Sequence, residues 1–127
     1  YEVVVPGRDV SLVEEQELAL SADVVVLDGT VSAEGRPRDM GRHKAILASF
    51  RHTPYPGRKR VLLLSSVLTW AKLLVADGHA AGEKRFQKRA PFAGRIMEKS
   101  IEDELLFLAS PRLDAAVVGC GLAYGGG

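Results

Sequence analysis

The stretch Arg60 to Ala71, RVLLLSSVLTWA, decides how the rest of the chain is read. Four consecutive large apolar residues, Val61 to Leu64, are bounded by Arg58-Lys59-Arg60 and by Ser65-Ser66. Such a run suits a core strand covered on both faces by helices, which needs no polar alternation. In open α/β sheets ligands bind beyond the carboxyl ends of the strands. Ser65, Ser66 and Thr69 therefore stand where chemistry would be placed.

Outward from this strand, the flanking segments alternate in type. Before it, Asp39 can cap a helix over 39–51, in which Met40, His43, Ile46, Leu47 and Phe50 share one apolar face and Arg42, Lys44 and Arg51 lie away from it. His52-Thr53-Pro54-Tyr55-Pro56-Gly57 breaks that helix and turns the chain into the core strand. Further back, Val24 to Leu27 is a second buried strand closed by Asp28-Gly29-Thr30, and residues 31–38 form a loop. Ser11-Leu12-Val13-Glu14 has the spacing of a capping box and starts a short helix to about Leu20. Tyr1 to Val5 (YEVVV) is a β-branched run stopped by Pro6-Gly7. It predicts a strand that, through the first helix, pairs in parallel with the second.

After Trp70, read as a packing residue at the sheet's edge, residues 77–89 form a polar excursion. A helix from about Phe92 or Gly94 to Leu108 sets Met97, Ile101, Leu105 and Leu108 on one side, with Glu98, Glu102 and Asp103 away from it. Ser110-Pro111 stops it. Asp114 then leads into a last small-residue strand, Ala115 to Gly119. The expectation is one α/β domain over 1–127, a three-layer Rossmann-like arrangement with a mostly parallel sheet centred on Val61 to Leu64. Its helices lie near 11–20, 39–51 and 94–109.

Composition narrows the function classes. The 127 residues are 46% hydrophobic and 26% charged, with a formal net charge of +1. That is ordinary for one globular domain, and no apolar stretch approaches the roughly 20 residues of a membrane span. A single cysteine, Cys120, cannot close an intrachain disulfide and fits a reducing compartment; it reads as a small residue ending a buried strand. His43, His52 and His79 share no metal-ligand spacing.

Charge is uneven along the chain. Residues 1–34 hold eight acids against Arg8 alone, whereas residues 35–60 hold eight Lys or Arg against Asp39 alone. Lys84, Arg85, Lys88 and Arg89 form a further basic group. Arg36, Arg38, Arg58, Lys59, Lys84, Arg85, Lys88 and Arg89 are therefore expected on a partner-facing basic surface. Nucleic acid is not the expected partner, because the basic segments lack interleaved aromatics.

The element order, with one strand ending in Ser-Ser and another in Tyr-Gly, resembles extended short-chain dehydrogenases and nucleotide-sugar epimerases. Ser65-Ser66-Val67-Leu68-Thr69-Trp70-Ala71 resembles the family's S-S-x-x-V-Y-G segment, and Ala123-Tyr124-Gly125-Gly126-Gly127 resembles its V-Y-G-P-G. The two strings together, with Trp70 in place of the family's tyrosine, are more closely similar to the amino-terminal, epimerase-like domain of the adenylate kinase isoenzyme seven family, axonemal proteins of motile cilia. That resemblance implies a cytoplasmic, axonemal location in cilia or flagella, axonemal and microtubule-associated partners with acidic surfaces such as tubulin, and a kinase portion outside this chain. It also implies a fragment lacking the first strand and its glycine-rich turn, and the ends at Tyr1 and Gly127 read as cut.

The same resemblance allows the dehydrogenase mechanism to be tested residue by residue. That chemistry needs a tyrosine to exchange a proton with the substrate, a lysine four residues later to lower its pKa, and a serine to hold the reacting oxygen. Ser66 matches the serine and Lys99 the lysine. Four residues before Lys99 stands Arg95, which stays protonated and cannot act as acid or base. Tyr55 and Tyr124 lie in other elements. No glycine fingerprint is present, Pro6-Gly7-Arg8 stands where an acid would hold the ribose, and Gly35 to Lys44 lacks the spacing of a phosphate loop. The expectation is a non-catalytic structural or interaction module without a cofactor. The alternative is an NAD(P)-dependent epimerase or reductase in which another residue replaces the tyrosine.

Overall fold

A computed structural model describes residues 2–6, 9–30, 40–70, 90–91 and 94–120. The chain runs α1 (Leu12–Ser21), β1 (Val24–Asp28), α2 (Met40–His52), β2 (Lys59–Ser66), a single 3-10 turn (Val67–Trp70), α3 (Ile96–Phe107) and β3 (Leu113–Cys120). The three strands form one all-parallel sheet in the order β1-β2-β3, with β2 in the centre. This is the expected Rossmann-like α/β arrangement, organised around Val61 to Leu64.

Register assigns each residue a face, because side chains alternate along a strand. Val25, Val61 and Ala115 line up across the sheet, as do Leu27, Leu63 and Val117. These residues pack with Met40, Ile46, Leu47 and Phe50 of α2, Ile101 and Leu105 of α3, and Ala19 of α1 in one apolar core. Two right-handed crossovers in the same direction put α2 and α3 on the same face. Opposite them, Val24, Leu62 and Leu64, Ala116 and Val118 belong to the other face, on which Val24 and Val118 are exposed. A third layer there is not among the described residues.

Local chemistry explains the element ends. At α1 both halves of the capping box form: the Glu14 amide donates to Ser11 Oγ at 3.3 Å and the Ser11 amide donates to Glu14 Oε2 at 2.8 Å. Arg42, expected on the solvent side of α2, instead ties the helices together through Glu15 at 2.9 Å and the Val10 carbonyl at 2.8 Å. Its long stem lets the charged head reach across the helix pair. Gly57, with φ of 64°, makes the turn into β2 in a conformation that other residues adopt reluctantly. Tyr55 beside it packs edge-on against Phe50, with ring centres 5.5 Å apart, and lies under the Arg112 guanidinium.

Two expectations need correction. Residues 2–6 form no strand, and Val3, Val4 and Val5 are exposed. β-branched residues favour extended backbone, but a strand is stable only when its polar groups find a ladder, and β1 pairs with β2 alone among the described residues. On α3 the buried side is turned from the expected one. Ile101 and Leu105 are buried as expected, but Met97 is 58% exposed, while Glu98 (4%) and Glu102 (0%) face inward. Partners explained below hold those carboxylates inside.

Candidate functional site

The carboxyl end of β2 is where the architecture gathers polar side chains. Alternation sends Ser65 toward α3 and Ser66 to the opposite face. Ser65 Oγ donates to Glu102 Oε1, and both residues are fully buried. Ser66 Oγ accepts the Leu68 amide at 3.2 Å, capping the first turn after the strand. Thr69, also buried, donates its hydroxyl to the Ser66 carbonyl at 2.9 Å. Every hydroxyl at this strand end is thus engaged with its own chain.

Helix α3 supplies the other half. Arg95, at the N-cap, pairs with Glu98 at 2.7 Å, and both side chains are largely buried. A carboxylate in the first turn also suits the positive end of the helix dipole. One turn on, Lys99 pairs with Asp103 on the helix surface. Of the three positions that the resemblance sets against the dehydrogenase triad, the tyrosine position is an arginine held on Glu98, Lys99 is paired with Asp103, and Ser66 accepts a backbone amide. No described hydrogen bond joins Ser66 to Lys99.

Glu102 and Glu98 are the site residues that sequence reading placed on the wrong side. The signal that could have found Glu102 is parity: Val61, Leu63 and Ser65 share a face, so an inward serine needs an acceptor on the covering helix. For Glu98, an arginine three residues earlier was the available sign.

The expected basic surface divides. Arg58 is exposed at the amino end of the sheet, near Asp23 and Asp114. Lys59 is a correction: it is 2% exposed and cannot meet a partner. Strand alternation turns it to the helix-covered face, where Nζ donates to the Ser21 carbonyl at 3.2 Å at the end of α1. A cation there satisfies an orphan carbonyl and the negative end of the dipole. Arg36, Arg38, Lys84, Arg85, Lys88 and Arg89 lie outside the described residues, as do Arg8, His79 and Tyr124 and the side chain of Trp70. Cys120 is half-buried at the end of β3 rather than deep in the core; among the described residues β3 pairs with β2 alone. Among the described residues no group of His, Cys, Asp and Glu could hold a metal ion, and no helix is long and apolar enough to cross a membrane.

The fold and this strand end define a small Rossmann-like α/β unit with an all-parallel sheet. No known family profile, curated protein or solved structure matches the chain.

Proposed function

We propose that this chain is a non-catalytic Rossmann-like module that serves structure and protein contact. The observation that carries this reading is Arg95, whose guanidinium is held by a largely buried Glu98 where the chemistry requires a titrating phenol. Arginine cannot exchange a proton at physiological pH, and swinging it away would leave Glu98 without that partner in the protein interior.

The resemblance to the epimerase-like domain of the adenylate kinase isoenzyme seven family supports a ciliary setting for the module. Axonemal and microtubule-associated proteins are its proposed partners, and Arg58 is the described member of the proposed basic surface. Charge of this kind speeds association and tunes specificity more than it adds affinity. Charge reversal there is expected to weaken assembly mainly at low salt.

The competing reading, an NAD(P)-dependent epimerase or reductase of the extended short-chain type, draws on the two serines at the carboxyl end of the central strand. Titration with NADH and NADPH, followed by fluorescence, separates the two. The structural reading expects no saturable binding; saturation in the micromolar range would overturn it in favour of the enzyme.

A further inference from the structure

The outer edge of β1 is an unfinished ladder. The Asp23 carbonyl accepts the Arg60 amide at 2.9 Å, and the Gly29 amide donates to the Leu64 carbonyl at 2.8 Å. In a parallel pair alternate residues direct both backbone groups to the same neighbour. Residues 23, 25, 27 and 29 therefore face β2, while Val24 and Val26 turn their amides and carbonyls outward. No described strand meets them. Their side chains are 53% and 56% exposed on the sheet face away from the helices. An exposed, apolar, unpaired edge is a template for another strand.

The same chain carries a segment suited to that template. Residues 2–5 are three valines after a glutamate, without secondary structure, and Val4 is 59% exposed. Within one copy no described ladder joins this segment to the edge: residues 2–6 carry no strand and β1 pairs with β2 alone among the described residues. We propose that residues 2–5 of a second copy add in parallel to the outer edge of β1, and that the exchange is reciprocal.

Chemistry fixes the direction and register. An antiparallel strand would set Glu2 beside Asp28, like charge against like. In parallel, with Glu2 beside Val24, Glu2 stands at the amino end of the sheet, where Arg58 is exposed beside Asp23 and Arg60 is paired with Asp114. Val4 then falls beside Val26, and Val3 and Val5 beside Val25 and Leu27. Val3 and Val5 supply the amides that the Val24 and Val26 carbonyls need, and the Val3 carbonyl accepts from Val26. Pro6, which has no amide to give, falls at a position that needs none. Exchange of an identical element between copies needs no new surface. The contact does not depend on the proposed loss of catalysis.

The test is sedimentation velocity at rising concentration to about 100 μM, on the protein and on two proline variants. Val3→Pro removes a donor from the incoming strand, in a segment that has no structure of its own to lose. Val26→Pro removes only the outward amide of β1 and leaves the β1–β2 ladder intact. The protein is expected to dimerise, and each variant to raise the dissociation constant at least about tenfold, with an unchanged far-ultraviolet circular dichroism spectrum for Val3→Pro. An equimolar mixture of the two variants keeps one intact segment and one intact edge, and is expected to recover a heterodimer. A protein that stays monomeric throughout, or a Val3→Pro dimer as tight as the parent's, overturns the proposal.

Discussion

Replacing Ser65 by alanine probes the arrangement on which the candidate site rests. The lost hydroxyl is the donor to Glu102 Oε1, and both residues are fully buried, so water cannot take its place without opening the core. Removing one partner of a buried hydrogen bond costs about 1–3 kcal/mol. We expect Ser65→Ala to cost about 2 kcal/mol. Ser66→Ala is the control, because its Oγ only accepts a neutral amide at 3.2 Å; about 0.5–1 kcal/mol is expected. Urea unfolding at neutral pH reads both as midpoint shifts at a common slope. A double-mutant cycle with Glu102→Leu isolates the pair, since the cost of losing Ser65 should shrink by at least about 1 kcal/mol once the carboxylate is gone. Zero coupling, or a larger loss from Ser66→Ala than from Ser65→Ala, would refute the assignment of the inward and outward serines.

Charge reversal at neighbouring residues should give opposite results: Lys59→Glu places an acid beside the Ser21 carbonyl in the interior and is expected to cost about 3 kcal/mol or more, whereas Arg58→Glu, on the surface, should change stability by less than about 0.5 kcal/mol. Thermal unfolding of the two variants side by side decides this. Gly29→Ala would bring a Cβ to 2.8 Å from the Leu64 carbonyl oxygen and 3.2 Å from Leu63 Cδ1; the backbone must shift, with an expected cost of about 1–3 kcal/mol by denaturant midpoint. Glu14 is held below the usual glutamate range by the Ser11 hydroxyl first and the Ser11 amide second. A carboxyl whose folded pKa is depressed stabilises above its unfolded pKa, and that support is lost as pH falls through the folded value. Stability measured from neutral pH into the acid range below 4.5 should therefore fall less steeply in Glu14→Gln than in the parent; parallel curves would exclude the capping box as a source of the slope.

Much of the fold was legible because apolar runs and caps act locally. Four large apolar residues in β2, the capping box at Ser11 and the spacing of Met40, Ile46, Leu47 and Phe50 each specify an element from its own residues. What escaped reading depends on a second element. Lys59 looked like surface charge as a neighbour of Arg58 and Arg60, yet two-residue alternation with Val61 and Leu63 already pointed it inward. The carboxylates of α3 broke the rule that acids lie outside because a serine on β2 and an arginine one turn back donate hydrogen bonds to them. Residues 2–5 have the composition of a strand, but a ladder is a property of two strands, and the described part of one copy supplies only the first.

The same alternation bears on the non-catalytic role proposed for this strand end. A dehydrogenase needs serine, tyrosine and lysine side chains to converge on one substrate oxygen with hydrogen-bonding capacity in reserve. Here adjacent serines leave the strand on opposite faces, and the inward one is bound into the interface between β2 and α3. Arg95 and Lys99 point their charges to acids on their own helix, so bringing either to a substrate would require breaking an ion pair before any new contact forms. For Arg95 the pair is largely buried, where separating the partners costs several kcal/mol. The two ion pairs of α3 are thus already formed in the resting fold, and the Ser65–Glu102 hydrogen bond holds α3 against the end of the sheet.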